Sequence, residues 1–138
     1  MTLPVNYTTT VGATRTVSEM QTLLAKHGAQ HVAVSYDDGK PIGLTFRIRE
    51  GDFRLPVDID AMHRLLVSSG LRGKASSREQ AERVAWRVVK DWLAAQLSLV
   101  AASMVTLDEV MLPYLVVGPD MLLRDQWRNR QALTMGDQ

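Results

Sequence analysis

At 138 residues the chain is long enough for one domain with a real core, and 46% hydrophobic against 22% charged residues is an ordinary globular balance. A formal net charge of +1 gives no whole-molecule attraction to nucleic acid or acidic lipid, so any such binding must rest on local patches. The chain has no cysteine, which removes disulfides, thiolate metal sites and cysteine nucleophiles together.

The opening Met1-Thr2-Leu3-Pro4-Val5-Asn6-Tyr7 lacks the basic segment and apolar core of a signal peptide. No run approaches the ~18 apolar residues of a membrane span. A soluble cytoplasmic protein without membrane contact is the expectation. Residues 3–11, rich in Thr, Val and Tyr, can form a short N-terminal strand. Thr16 stands three before Glu19 as a capping box, opening a helix over residues 17–27 that Gly28 ends.

From His31 to Val57 the apolar period becomes alternating. Val32, Val34 and Tyr36 share one face, as do Ile42, Leu44, Phe46 and Ile48, and then Phe53, Leu55 and Val57. Asp37-Asp38-Gly39-Lys40 separates the first two strands, and keeping Tyr36 and Ile42 on one side requires a loop of odd length. Gly51-Asp52 reads as a two-residue turn, which pairs Arg49 with Arg54 and Ile48 with Leu55. Arg47, Arg49 and Arg54 then lie on the face away from the core, and like charges directly across a ladder are unfavourable. Either a neighbouring carboxylate such as Glu50 or Asp52 separates them, or an anion lies on that face.

Asp58 or Asp60 caps a short helix that Gly70 closes, and residues 71–75 make a basic connector that serves as the best internal hinge. The stretch 76–104 contains neither Gly nor Pro and would form a helix roughly 40 Å long. Ser76 before Glu79, or Ser77 before Gln80, provides its cap. One apolar row is Ala81, Val84, Val88, Trp92, Ala95 and Leu99; a second is Ala85, Val89, Leu93, Leu97 and Val100. The stripe widens toward the C-terminal end, so that end is buried or paired with another chain, and Trp92, Leu97, Val100 and Met104 are the expected oligomer or partner interface; a helix this long for one small domain favours oligomerisation. On the polar face Arg83, Arg87 and Lys90 flank Trp86, with Glu79–Arg83 and Arg87–Asp91 at ion-pair spacing.

Thr106 and Glu109 form a further capping box, and Pro113 limits the helix that follows. The apolar run 110–117 should pack back on the long helix. Pro119 can be the first residue of a last helix, in which Met121, Leu122, Trp127 and Leu133 mingle with Arg124, Arg128 and Arg130. Residues 134–138 should fray. No internal repeat or low-complexity segment is present. The fold expected is a single α+β domain spanning 1–138: a three-stranded antiparallel meander, with the N-terminal strand as an optional fourth, packed against one long helix and several short ones.

Glu82-Arg83-Val84-Ala85-Trp86-Arg87, Lys90-Asp91-Trp92, Ala95-Gln96 and Leu112-Pro113-Tyr114 resemble a group of small hypothetical proteins encoded by bacterial phages and prophages. The likeness runs across most of the chain. It implies a bacterial cytoplasm, a phage setting, and contact with nucleic acid or a host protein. It implies no particular activity, cofactor or site.

Glycine-rich phosphate loops and the Gly-x-Ser-x-Gly elbow are missing from the sequence. Asp58, Asp60 and His63 are the densest titratable cluster, readable as a divalent-metal or catalytic group or as plain helix capping. Capping is preferred, so no enzyme, catalytic residue, metal or cofactor is expected. The first functional reading is an accessory protein that binds single- or double-stranded DNA through phosphate contacts of Arg47, Arg49, Arg54, Arg83, Arg87 and Lys90. The alternative is a protein-interaction module, a phage-encoded inhibitor or adaptor of a host protein with no nucleic-acid binding, and homo-oligomerisation fits either.

Overall fold

The structure, a computed structural model, describes residues 2–136. Among them the order is α1 (Ala13–Lys26), β1 (Gln30–Asp37), β2 (Lys40–Ile48), β3 (Gly51–Arg54), α2 (Ile59–Ser68), α3 (Arg78–Ala101), α4 (Leu107–Val110), β4 (Val116–Gly118), β5 (Met121–Leu122) and α5 (Leu123–Gly136). Short 3-10 turns occupy Gly73–Ser76 and Leu112–Tyr114. Strands β1-β2-β3 form an antiparallel meander, and β4-β5 form a separate small hairpin joined to β3 by a single bridge between Phe53 and Leu115. The fold is α+β, as the sequence indicates. No helix among the described residues is long and apolar enough to cross a membrane.

The core lies where helix and strand periodicities converge. Val17, Met20 and Leu24 of α1, Leu44 and Phe46 of β2, Phe53 of β3, and Trp86, Leu93 and Leu97 of α3 form the main cluster. A second cluster places Ile59 and Leu66 of α2 against Ala81, Val84 and Ala85 of α3. The first half of α3 is thus buried on two sides, by the sheet with α1 and by α2. The stripe does not widen toward the C-terminus as the sequence suggests. It narrows to Leu93 and Leu97, and Leu99 and Ala95 are exposed.

Sequence spacing puts Trp86 at the flank of the second apolar row and between Arg83, Arg87 and Lys90; the structure places it wholly on the apolar side, 0% exposed, its indole N–H donating to the Pro41 carbonyl at 3.1 Å. Next to that carbonyl β2 is bulged. The register steps from Ser35 opposite Gly43 to Tyr36 opposite Pro41, which leaves Ile42 as the extra residue. The β1–β2 loop is therefore the even-length Asp38-Gly39 turn, both residues at positive φ, rather than a loop of odd length. The bulge reverses the facing, so Ile42 is 46% exposed and Pro41 is buried.

The β2–β3 turn is also displaced. It falls at Arg49-Glu50, which pairs Ile48 with Gly51, Arg47 with Asp52, Phe46 with Phe53 and Thr45 with Arg54. Arg49 does not face Arg54. The physical reason is at Gly51, where a Cβ would stand 3.1 Å from Leu115 Cδ1 and 3.1 Å from the Phe53 ring. The glycine answers to packing, and the positive φ of 55° falls on Arg49 instead. Phe46 and Phe53 stack across the strands at 5.6 Å, fixing this register from the core side.

No strand forms over residues 3–11. Asn6 adopts a φ of 63° in a turn and its side-chain amide donates to Asp91 at 2.7 Å. The Gln80 amide donates to the carbonyls of Tyr7 and Thr9, both at 3.0 Å. These side-chain bonds hold the segment on α3 and occupy carbonyls a sheet would need. Gln80 is consequently not half of a reciprocal capping box, although Ser77 Oγ accepts the Gln80 N–H at 3.1 Å. Thr16 does not cap α1 either. It is buried inside the helix, its hydroxyl donating to Gly12 O.

Other boundary signals are met. Gly28, at φ 89°, follows α1 with its N–H bonded to Ala25 O and the Ala29 N–H bonded to Leu24 O, the paired bonds of a Schellman end. Thr106 and Glu109 complete a reciprocal capping box. Asp58 caps α2 by accepting the Ala61 N–H at 2.9 Å. The last helix starts at Leu123 and not at Pro119, because Pro119-Asp120 turns β4 into β5, with Asp120 at φ 53°. Residues 134–136 continue α5; the expectation of fraying at 137 and 138 lies outside the described residues.

Candidate functional site

The basic residues singled out by sequence do not form one surface. Phe46 and Ile48 face the core, so Arg47 projects from the opposite side of the sheet, away from α1 and α3. It meets Asp52 at 3.4 Å, its partner across the strands. Arg83 pairs with Glu79 at 2.7 Å, as its spacing suggests. Arg87 does not pair with Asp91. It reaches from α3 to Glu19 of α1 at 2.7 Å, and to Thr16 Oγ1 at 3.4 Å. Lys90 lies 3.8 Å from Asp91. Only Arg49 and Arg54 of the six have no carboxylate partner among the described residues, and they are separated by the turn and the register.

The Arg87–Glu19 contact is a clamp between helices. Both side chains are partly shielded, at 20% and 33% exposure. The hydrogen bond from Arg87 holds the Glu19 carboxyl below its ordinary 4.5, assisted by the charges of Arg87, Lys90 and Arg15. This geometry consumes Arg87 in fold stability.

The apolar residues assigned to an interface divide in the same way. Leu97 is buried in the protein's own core, and Val100 packs against that core. Trp92 meets the Tyr114 ring edge-on at 5.6 Å, tying α3 to the Leu112–Tyr114 turn. Met104 alone is freely exposed, at 71%. Asp58, Asp60 and His63 act at the start of α2. Asp58 caps the helix, and Asp60 accepts from Arg78 at 2.6 Å, a contact that lowers its carboxyl pKa. No group of three His, Asp or Glu side chains able to hold a metal ion occurs among the described residues.

A candidate site that the sequence does not single out lies at α5. Every residue from Gln126 to Gly136 is exposed, so beyond its first turn the helix is covered on no side. Its base is well held: the Leu123 N–H donates to Leu115 O at 2.8 Å, and Asp125 accepts the Leu122 N–H at 2.8 Å. Arg124 lies over the Tyr114 ring at 5.6 Å from its centre, and its Nε is buried without an acceptor among the described residues. Between this base and the preceding turn is an open groove of about 460 Å³, walled by Leu112, Pro113, Leu123 and Trp127 with Arg124 and Arg130 beside them. Trp127 is 63% exposed.

Comparisons with protein-family models, curated proteins and solved structures found no match. Sequence reasoning passed over Trp127, Arg124 and Arg130 because their helix has no clean stripe. The available signal was the missing apolar stripe: Trp127 and Leu133 do not recur with other apolar residues at helical spacing along one face.

Proposed function

We propose that the protein is a protein-interaction module whose binding element is α5 with the groove beneath it. The observation that carries this reading is the exposure of Trp127 on a helix that nothing covers after its first turn. Isolated helices shorter than about 12–15 residues are marginal in water, so a partner's burial of this one supplies what tertiary packing does not. Tryptophan and arginine are also the residues that dominate binding energy at protein interfaces. The resemblance to phage and prophage proteins agrees with a host protein as the partner.

Affinity capture with the full chain as bait, wild type against Trp127→Ala, tests it. A stoichiometric protein retained by the wild type and lost with the variant is the expected result, with cross-links mapping to α5. Equal retention by both, or cross-links confined to the sheet, rejects the reading.

A second reading, nucleic-acid binding, is favoured by one observation. Arg124, Arg128 and Arg130 have no ion pair among the described residues and flank an exposed aromatic. It ranks second because Arg47, Arg83, Arg87 and Lys90 are matched by carboxylates. A salt-dependent polarisation titration with single- and double-stranded DNA decides it. Binding at low salt that is lost in Arg128→Gln/Arg130→Gln supports it, and no binding at low salt ends it.

A further inference from the structure

We infer that the α5 groove takes an acidic peptide segment carrying one large apolar side chain, supplied by a protein other than this chain. The inference rests on the protein-interaction reading above and adds the chemistry of the partner. The walls at Leu112, Pro113, Leu123 and Trp127 are apolar, and the volume of about 460 Å³ falls within the range of small-ligand pockets. Leu112 and Trp127 are 49% and 63% exposed, so a complementary side chain would remove contiguous apolar surface from water.

Charge specifies the rest. The groove carries two guanidiniums, Arg124 and Arg130, and no Asp or Glu. The adjacent carboxylate, Asp125, is committed to the Leu122 N–H. Arg124 has only the face of Tyr114 as a counterweight, and its Nε has no acceptor among the described residues. Guanidiniums beside an apolar slot match carboxylates flanking an apolar anchor, since arginine recognises carboxylates with directed, charge-assisted bonds. Nucleic acid fits this groove less well, because its floor is largely aliphatic and only two cations line it.

The test uses the 138-residue chain and fluorescence anisotropy with three labelled peptides. They share a Leu-Phe-Leu centre, flanked by Asp and Glu, by Ser, or by Lys. The acidic peptide should bind at least roughly tenfold more tightly than the other two, and its affinity should fall as salt rises. Arg124→Gln/Arg130→Gln should erase that preference, while Trp127→Ala should weaken all apolar-centred peptides. Trp127→Ala and Arg130→Gln should melt like the wild type, since both side chains are exposed; Arg130→Gln alone, which leaves the Arg124–Tyr114 contact in place, should already weaken the acidic preference.

Equal binding of the three peptides, or a preference untouched by the arginine changes, overturns the inference. If Trp127→Ala still loses a captured protein in that case, the interaction reading stands and only the charge argument falls. A concentration-dependent dimer abolished by Trp127→Ala assigns the groove to a second copy and also overturns it. Tighter binding of a single-stranded oligonucleotide than of the acidic peptide overturns both readings.

Discussion

Helices α3 and α5 each carry tryptophan, leucine and several arginines, but the fold treats them in opposite ways. The first half of α3 is enclosed by the sheet, α1 and α2, and its Trp86 is fully buried with its N–H bonded to Pro41. Beyond its first turn every described residue of α5 is exposed, and its Trp127 is 63% exposed. Arginines follow the same division: Arg83 and Arg87 are matched by Glu79 and Glu19, whereas Arg124 and Arg130 line an apolar groove without a carboxylate. Composition alone does not separate an enclosed helix from an uncovered one. What separates them is whether other layers of the same chain cover the helix.

The two tryptophans provide the strongest way to break this contrast. Trp86→Ala should destabilise the fold by about 3–5 kcal/mol, leaving both a cavity and an unpaired Pro41 carbonyl. Trp127→Ala should change stability by no more than about 0.5 kcal/mol, as for a surface position. Urea unfolding followed by circular dichroism measures both. Equal losses would mean that α5 is packed in solution.

Hydrogen exchange sharpens the same contrast without mutation. Amides of Val84, Ala85 and Trp86 should exchange only through global unfolding, and those after Gln126 orders of magnitude faster. Addition of a partner should slow exchange in α5 and leave α3 unchanged.

A smaller effect is expected from the clamp between α1 and α3. Arg87→Met should cost about 1 kcal/mol, an amount suited to a partly shielded ion pair. Because the Glu19 carboxyl is held below its ordinary 4.5, this contribution is present above that pH and is lost as pH falls through the lowered value. The wild type should therefore lose more stability than Arg87→Met on acidification through that window. Parallel pH profiles for the two would show that the clamp contributes nothing.

The smallest change concerns the sheet. Arg49 sits at φ 55° in the β2–β3 turn, where a side chain is disfavoured and glycine is not. Arg49→Gly should raise stability by up to about 1 kcal/mol, read from the urea midpoint. A loss would indicate that the Arg49 side chain supports the fold.

The sequence was legible at several helix ends, where short-range chemistry decides, though not at Thr16 or Pro119. Asp58, Ser77 and Thr106 start helices as their types suggest, and Gly28 ends one. Alternating Leu44 and Phe46 mark an inward face, and the α+β class follows from such periods. Register was less legible. The β2–β3 hairpin slipped because Gly51 served two candidate purposes, a turn and a close approach, and only the positions of Leu115 and Phe53 chose between them. The Ile42 bulge was hidden because a bulge looks like uninterrupted alternation until its partner strand is known.

For the site, the sequence supplied the inventory of arginines and tryptophans but not their company. Glu19 and Arg87 are far apart along the chain, and nothing local indicates that α1 and α3 bring them within 2.7 Å. Local signals decided where α2, α3 and α4 begin, that Leu44 and Phe46 face inward, and the absence of thiol chemistry. Tertiary structure alone decided which cations are neutralised, which tryptophan is core, and which helix is left uncovered. The reason is physical: backbone preference acts over a few neighbours, whereas burial and charge pairing depend on layers that meet only after the chain has closed on itself.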